Sequence, residues 1–210
     1  MDLSKYMNAP NAELSAEMKK KLEKVGGISK VEFHDKNVIL TDHQQWNECG
    51  YDKLADDSYL VSMVTPMPNV TKEMVSWWFW WHAQDSRRYK AWYPSEHYRI
   101  SYHKKDTDYF TRKTLPPFEP NIQYPVERVG KLVAPLSIEF VHPSDFGFSE
   151  KLMEENNVEV IVCGHVAAFK GLIPNTEMAH IFIQGADCPL WVSRFWIGKN
   201  LKSPLLKKCS

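Results

Sequence analysis

Between Tyr98 and Ile197 the sequence reads as one strand pattern after another, and helix-type spacing is confined to the residues before it. Tyr98–His103 (YRISYH) alternates polar and apolar side chains. Lys131–Val141 is a strand pattern interrupted by Pro135, which cannot donate to a ladder and so marks an edge or a bulge. Val158–Phe169 is a long apolar run. Met178–Gln184 and Leu190–Ile197 flank Gly185-Ala186-Asp187-Cys188-Pro189, a hairpin signal. The prediction is an α+β fold with a long, mostly antiparallel sheet and few helices.

Upstream, residues 12–25 are charged, rich in helix formers and stopped by Gly26-Gly27, as a surface helix is. Lys30–His34 and Val38–Thr41 flank Asp35-Lys36-Asn37 and predict a hairpin. Tyr59–Thr65 reads as a strand. Thr71 is a helix cap, and Met74, Trp77, Trp78 and Trp81 then fall three and four apart, which predicts one apolar helix face ending near Asp85. A curved sheet gripping that helix encloses a cavity.

With 210 residues the chain suits a single domain that needs no disulfide staples. Lys+Arg and Asp+Glu are equal at 26 each, which removes the electrostatic case for nucleic acid or an acidic membrane surface. No apolar run approaches the roughly 20 residues of a membrane span, and the first residues lack a signal-peptide core. Cys49, Cys163, Cys188 and Cys209 form no CxxC pair and read as reduced thiols of a soluble cytoplasmic protein. Eight Trp, nine Tyr and ten Phe serve equally a large core or a pocket for a flat apolar ligand.

The stretch from Trp77 to His103 concentrates the residues able to do chemistry. His82, at the end of the apolar helix, is first read as a satisfied histidine whose charge the helix dipole favours. His97 follows Tyr-Pro-Ser-Glu, which brings the chain in extended and sets His97 at the mouth of the next strand, a common home for a ligand. His103 shares a strand face with His97 but stands about 20 Å away on a straight strand, too far for one ion. His165 and His180 lie inside β-like runs, where packed histidines are usual; His180, read as opening a strand, is the better functional candidate. HExxH, CxxC and GxSxG are absent, which argues against a closed zinc site and a serine hydrolase.

Taken together, WWFWWHAQDSRRYKAWYPSEH, SIEFVHPSDFGF, MAHIF and VSRFWIG resemble the 2,4-diacetylphloroglucinol hydrolase family, to which phloretin hydrolase belongs. The likeness runs over roughly residues 30–198, with the motifs in the family's order. The resemblance implies a Bet v 1-like helix-grip fold with an added N-terminal segment. It divides the chain into residues 1–70 (helix and hairpin), 71–198 (hydrolase-like region) and 199–210 (basic tail). It implies hydrolysis of the carbon–carbon bond between an acyl group and a phenol ring, with zinc as cofactor. By resemblance His97 is the first zinc ligand and Glu127 the second, with Glu139 as the alternative. Tyr89 and Trp92 contact the substrate, a small phenolic ketone, and Tyr89 and His180 are catalytic.

The family's remaining ligands form a His-x-x-x-Glu pair after S-R-F-W, and this sequence has neither His nor Glu after Arg194. The expectation is therefore a half-complete zinc sphere and weak zinc binding. Two rival readings follow: a non-catalytic binder of hydrophobic ligands, and a pseudoenzyme acting through a partner. Assembly into a homo-oligomer is left open.

Overall fold

The computed structural model describes residues 2–10, 13–116, 118–169 and 173–199, without the side chains of residues 173 and 174. The helices are α1 (Ser4–Met7), α2 (Ala16–Leu22), α3 (Val38–Thr41), α4 (Lys72–Trp81), α5 (Ser86–Trp92), α6 (Thr107–Phe110), α7 (Pro143–Phe146) and α8 (Glu150–Glu155). The strands are β1 (Gly50–Lys53), β2 (Tyr59–Pro66), β3 (His97–Arg99), β4 (Asn121–Gln123), β5 (Val126–Val129), β6 (Leu132–Val141), β7 (Val158–Ala168), β8 (Ile173–Gln184) and β9 (Pro189–Ile197). The fold is α+β, dominated by antiparallel strands. Its described residues group into two compact units, neither of them one continuous segment.

One unit holds residues 14–72, 141–165 and 174 onward. Its strands run β1-β2-β9-β8-β7, and β8 and β9 form the hairpin the sequence predicts, in register from Gln184–Pro189 to Thr176–Ile197. At its turn, a Cβ on Gly185 would stand 2.6 Å from the Cys188 carbonyl oxygen and 2.9 Å from Leu190 Cγ. Gly185→Ala is therefore expected to cost about 1–3 kcal/mol, read as a lower urea midpoint. An unchanged midpoint would mean that the turn is looser than this.

The core of that unit packs Ile39, Leu40, Leu60, Ile161, Ile181, Ile183, Val192 and Trp196, each almost wholly buried. The S-R-F-W motif is largely structural here. Ser193 Oγ bonds His180 Nδ1 (2.8 Å), Arg194 donates to the Gln45 carbonyl (2.5 Å), and Trp196 Nε1 donates to the Val31 carbonyl (2.8 Å).

The predicted hairpin over Lys30–Thr41 is not formed. Phe33–Asp35 is a 3-10 turn and Val38–Thr41 is α3. Tertiary contacts override the β-propensity of Val38 and Ile39. Ile39 and Leu40 are fully buried from one helical turn, and Trp46 Nε1 donates to the Ile39 carbonyl at 2.8 Å. The Asn37 side chain donates to the Gly147 carbonyl and accepts from Ser149 N–H, both at 2.9 Å, which holds the turn where a hairpin loop was expected. The helix predicted over 12–25 is shorter, Ala16–Leu22, capped by Ser15. Gly26 and Gly27 follow it at φ +106° and +81°.

The second unit holds residues up to 13, 73–140 and 166–173. Its α4 is ten residues long, and the buried side chains are Val75 and Phe79 rather than the predicted tryptophan face. Met74 is exposed, and Trp77 stacks on Trp81 at 4.8 Å. The heavy indoles satisfy one another at the half-buried flank and leave the core contact to smaller neighbours. A 3-10 turn, His82–Gln84, follows α4. Asp85 then starts a new helix: its carboxylate accepts from Arg87 N–H (2.9 Å), so the polar DSRR run is the cap and first turn of α5.

β5 and β4 lie in succession against β6, with Val126 opposite Pro135 and Gln123 opposite Ile138. The strand predicted over Tyr98–His103 shrinks to β3 plus a bridge at Tyr102, and the His103 ring caps the next turn by accepting from Lys105 N–H (3.1 Å). β3 pairs with β5 through a bulge: His97 faces Glu127 and Arg99 faces Val126, leaving Tyr98 unmatched.

Candidate functional site

The His97–Glu127 register pair puts two side chains on one face of adjacent antiparallel strands, where directly opposed residues are close. His97 Nε2 stands 3.5 Å from Glu127 Oε2. α5 lies over them and delivers Tyr89, which is 4 % exposed. The Tyr89 hydroxyl donates to Glu127 Oε2 at 2.5 Å. Its ring is parallel to the His97 imidazole, with centroids 3.9 Å apart and 4° between planes. Its backbone carbonyl lies 3.2 Å from His97 Nδ1. One residue therefore meets both neighbours, with its side chain on the glutamate and its main chain on the histidine.

The proton positions follow. A carbonyl only accepts, so His97 carries its proton on Nδ1 and presents the Nε2 lone pair to Glu127. Burial pulls the His97 imidazole below its usual value; the Tyr89 carbonyl acts in the opposite sense. Burial pushes Glu127 up, partly offset by the Tyr89 hydrogen bond, and burial followed by the Glu127 charge raises Tyr89 far above the ordinary phenol. A neutral imidazole lone pair thus points at a carboxylate oxygen. Two acceptors at that distance repel unless a proton or a cation lies between them. The separation also suits a shared zinc ion: tetrahedral donors at ~2.0–2.1 Å from zinc stand roughly 3.3 Å apart. These residues fit half of a zinc sphere, and no group of three or more His, Cys, Asp or Glu suited to a metal occurs among the described residues.

Aromatic rings complete the surroundings. Trp92 meets the His97 ring edge-on at 5.2 Å and Tyr93 at 5.7 Å. Both are exposed, 47 % and 42 %, and so form an open apolar rim beside the two polar groups. Sequence reasoning missed Tyr93, although its place between Trp92 and Pro94 in the motif marked it.

The other residues singled out by sequence have surroundings of their own. Glu139 is exposed and pairs with Ile122 on β6. His180 sits within β8 rather than opening it. Its ring stacks on Trp191 at 5.0 Å, and burial pulls it down to about 4. His165 pairs with Glu177 at 2.5 Å. His82 differs from its charged helix-end reading: it is 2 % exposed and burial pulls it to about 4, so it is neutral at pH 7. Cys49, Cys163 and Cys188 are free thiols, and Cys209 lies outside the described residues. Among the described residues no helix is long and apolar enough to cross a membrane.

Residues 31–209 match the model of the DAPG hydrolase PhiG domain. Over 176 residues the chain is 32 % identical to phloretin hydrolase of Eubacterium ramulus, covering 81 % of this chain and 62 % of that one. It is 29 % identical over 179 residues to 2,4-diacetylphloroglucinol hydrolase of Pseudomonas protegens, covering 80 % of this chain and 55 % of the relative. A second 2,4-diacetylphloroglucinol hydrolase, from a Pseudomonas species, is also 29 % identical, with 58 % of its length covered. The chain thus spans a little over half the length of these curated relatives.

Proposed function

Because the chain belongs to the DAPG hydrolase PhiG domain family by its match over residues 31–209, we propose that it hydrolyses the bond between an acyl carbon and the ring carbon of a polyhydroxylated phenol, with zinc held by His97 and Glu127. The observation that supports this most is His97 Nε2 facing Glu127 Oε2 at 3.5 Å, with Nδ1 turned to the Tyr89 carbonyl, a spacing that two ligands of one ion would have. Zinc supplies a Lewis acid that polarises an acyl carbonyl and makes water nucleophilic near neutral pH.

In this reaction water adds its oxygen to the acyl carbon, the carbon–carbon bond breaks, and the bonding electron pair leaves on the ring carbon. That carbon takes a proton, and the products are a carboxylic acid and the free phenol. Electron-rich polyhydroxy rings tolerate this leaving role because their keto forms hold the charge on oxygen. Tyr89 keeps its proton well beyond neutral pH and so is suited to hold the phenolic oxygen by a hydrogen bond rather than to give its proton up. His180, catalytic by resemblance, is neutral at pH 7 and so is suited to hydrogen bonding rather than to acid catalysis. Trp92 and Tyr93 hold the flat ring and exclude water.

The proposed architecture is the family's helix-grip arrangement, in a cytoplasmic protein. Residues 1–70 form its N-terminal segment, 71–198 the hydrolase-like region and 199–210 a basic tail. A second reading, a binder of aromatic ligands without turnover, draws on the exposed Trp92 and Tyr93 rim. Elemental analysis of the purified protein, followed by an assay of acylphloroglucinols for released carboxylic acid, separates the two. Zinc with product release supports hydrolysis. Ligand-dependent melting without either supports the binder and overturns the hydrolase.

A further inference from the structure

Tyr89 reaches both His97 and Glu127, so whatever fixes Tyr89 fixes the site. Its ring is flanked by two imidazoles. His97 lies parallel on one contact, and His82 stacks on another at 5.7 Å and 25° between planes. His82 is locked on its polar edge. Its Nδ1 stands 2.6 Å from the Trp78 carbonyl one helical turn earlier, which puts the proton on Nδ1. The Gln123 side chain is a neighbour of the ring. Gln123 is itself held by the Phe79 carbonyl (3.4 Å) and Asn121 Oδ1 (3.0 Å), four residues before Glu127 in the chain. The faces and edges of the imidazole meet Trp78 (5.4 Å), Phe79 (5.5 Å) and Trp92 (5.8 Å). His82 therefore joins the turn after α4, the Tyr89 ring of α5 and the strand leading to Glu127.

We propose that His82 is a positioning residue of this site: its imidazole, tied to the Trp78 carbonyl and packed among aromatic rings, sets the plane of the Tyr89 ring, and through Tyr89 the placement of Glu127 and His97. The ring must be histidine rather than phenylalanine for a physical reason. A phenyl ring keeps the stack, but it leaves the Trp78 carbonyl without its side-chain partner and is free to turn about its axis. An asparagine keeps a donor for Trp78 but gives Tyr89 no face. The inference rests on reading His97 and Glu127 as the zinc pair, yet the contact of His82 with Tyr89 does not, and the test uses that difference.

Compare wild type, His82→Phe, His82→Asn, Tyr89→Phe and the His82→Phe/Tyr89→Phe pair. Calorimetric zinc titration is expected to show roughly tenfold weaker binding for His82→Phe, and hydrolysis a 10–100-fold lower kcat with little change in KM, the size typical of groups that orient metal ligands. If His82 works through the Tyr89 phenol, His82→Phe adds little in the Tyr89→Phe background; strict additivity of the two losses would overturn the proposal. Fluorotyrosine labelling supplies a readout that needs neither zinc nor turnover. The resonance missing in Tyr89→Phe must shift in both His82 variants, and an unmoved signal in folded His82→Asn sinks the positioning role. A wild type that binds no zinc and turns nothing over, but whose Tyr89 resonance still responds to His82, leaves the positioning intact and removes the hydrolase reading instead.

Discussion

His97→Ala and Glu127→Ala are each expected to weaken zinc binding by at least roughly 100-fold, since loss of an orienting neighbour alone costs 10–100-fold. Acyl-phenol hydrolysis should fall with it, by at least the same factor. Glu127→Gln tests charge rather than shape. It keeps an acceptor for the Tyr89 hydroxyl but removes the negative charge that faces the His97 lone pair, so affinity should drop while the fold persists. Tyr89→Phe preserves the parallel ring and the main-chain carbonyl, and its loss should therefore be smaller than that of either ligand. Zinc retention after dialysis, measured beside circular dichroism, checks all four variants. Full zinc content and full turnover in folded His97→Ala would place the chemistry somewhere else.

The second large effect is loss of stability in mild acid. His82 and His180 each have an imidazole drawn from 6.5 to about 4, chiefly by burial. The unfolded chain binds protons first as pH falls, so unfolding is favoured by acid. Their stabilisation is complete above about pH 6.5, declines between 6.5 and about 4, and changes no further below that. Each contributes roughly 3 kcal/mol over that window, at about 1.4 kcal/mol per pH unit. Glu127, shifted upward, works the other way: it holds its proton more readily folded than unfolded and so offsets part of the loss. Urea unfolding of chelator-treated protein at several values from pH 7 to pH 4 measures the slope. His180→Gln retains a partner for Ser193 Oγ and should remove close to one proton from it. A slope identical to wild type would show that His180 is protonated in the folded chain.

Secondary structure was legible wherever the local pattern agreed with the tertiary environment. The β8–β9 hairpin is such a case, because its alternation, turn residues and burial all favour the same register. Lys30–Thr41 is the opposite case. Its β-formers became a helical turn because Ile39 and Leu40 found burial and Asn37 found partners 110 and 112 residues away, which no local pattern encodes. The tryptophans of α4 misled for a related reason: spacing reports a stripe, but only packing decides which stripe faces inward. At the site, the motif pointed to Tyr89, Trp92, His97 and Glu127, and the structure brings these four together in one unit. What sequence could not supply was the pairing of His97 with Glu127 across strands 30 residues apart, or the neutral state of His82, since both depend on burial and register.

The group that dictates which nitrogen of His97 bears hydrogen is the Tyr89 carbonyl, and a carbonyl is common to all amino acids. Mutation at codon 89 cannot erase it while the helix persists. Exchange of the side chain at 89 therefore leaves the partner of His97 Nδ1 in place. A proline near the end of that helix would do what no side-chain exchange at 89 can, by bending the main chain away. The two neighbours of Tyr89 are thus held by separate parts of one residue, Glu127 by a hydroxyl that mutation can remove and His97 by a carbonyl that it cannot.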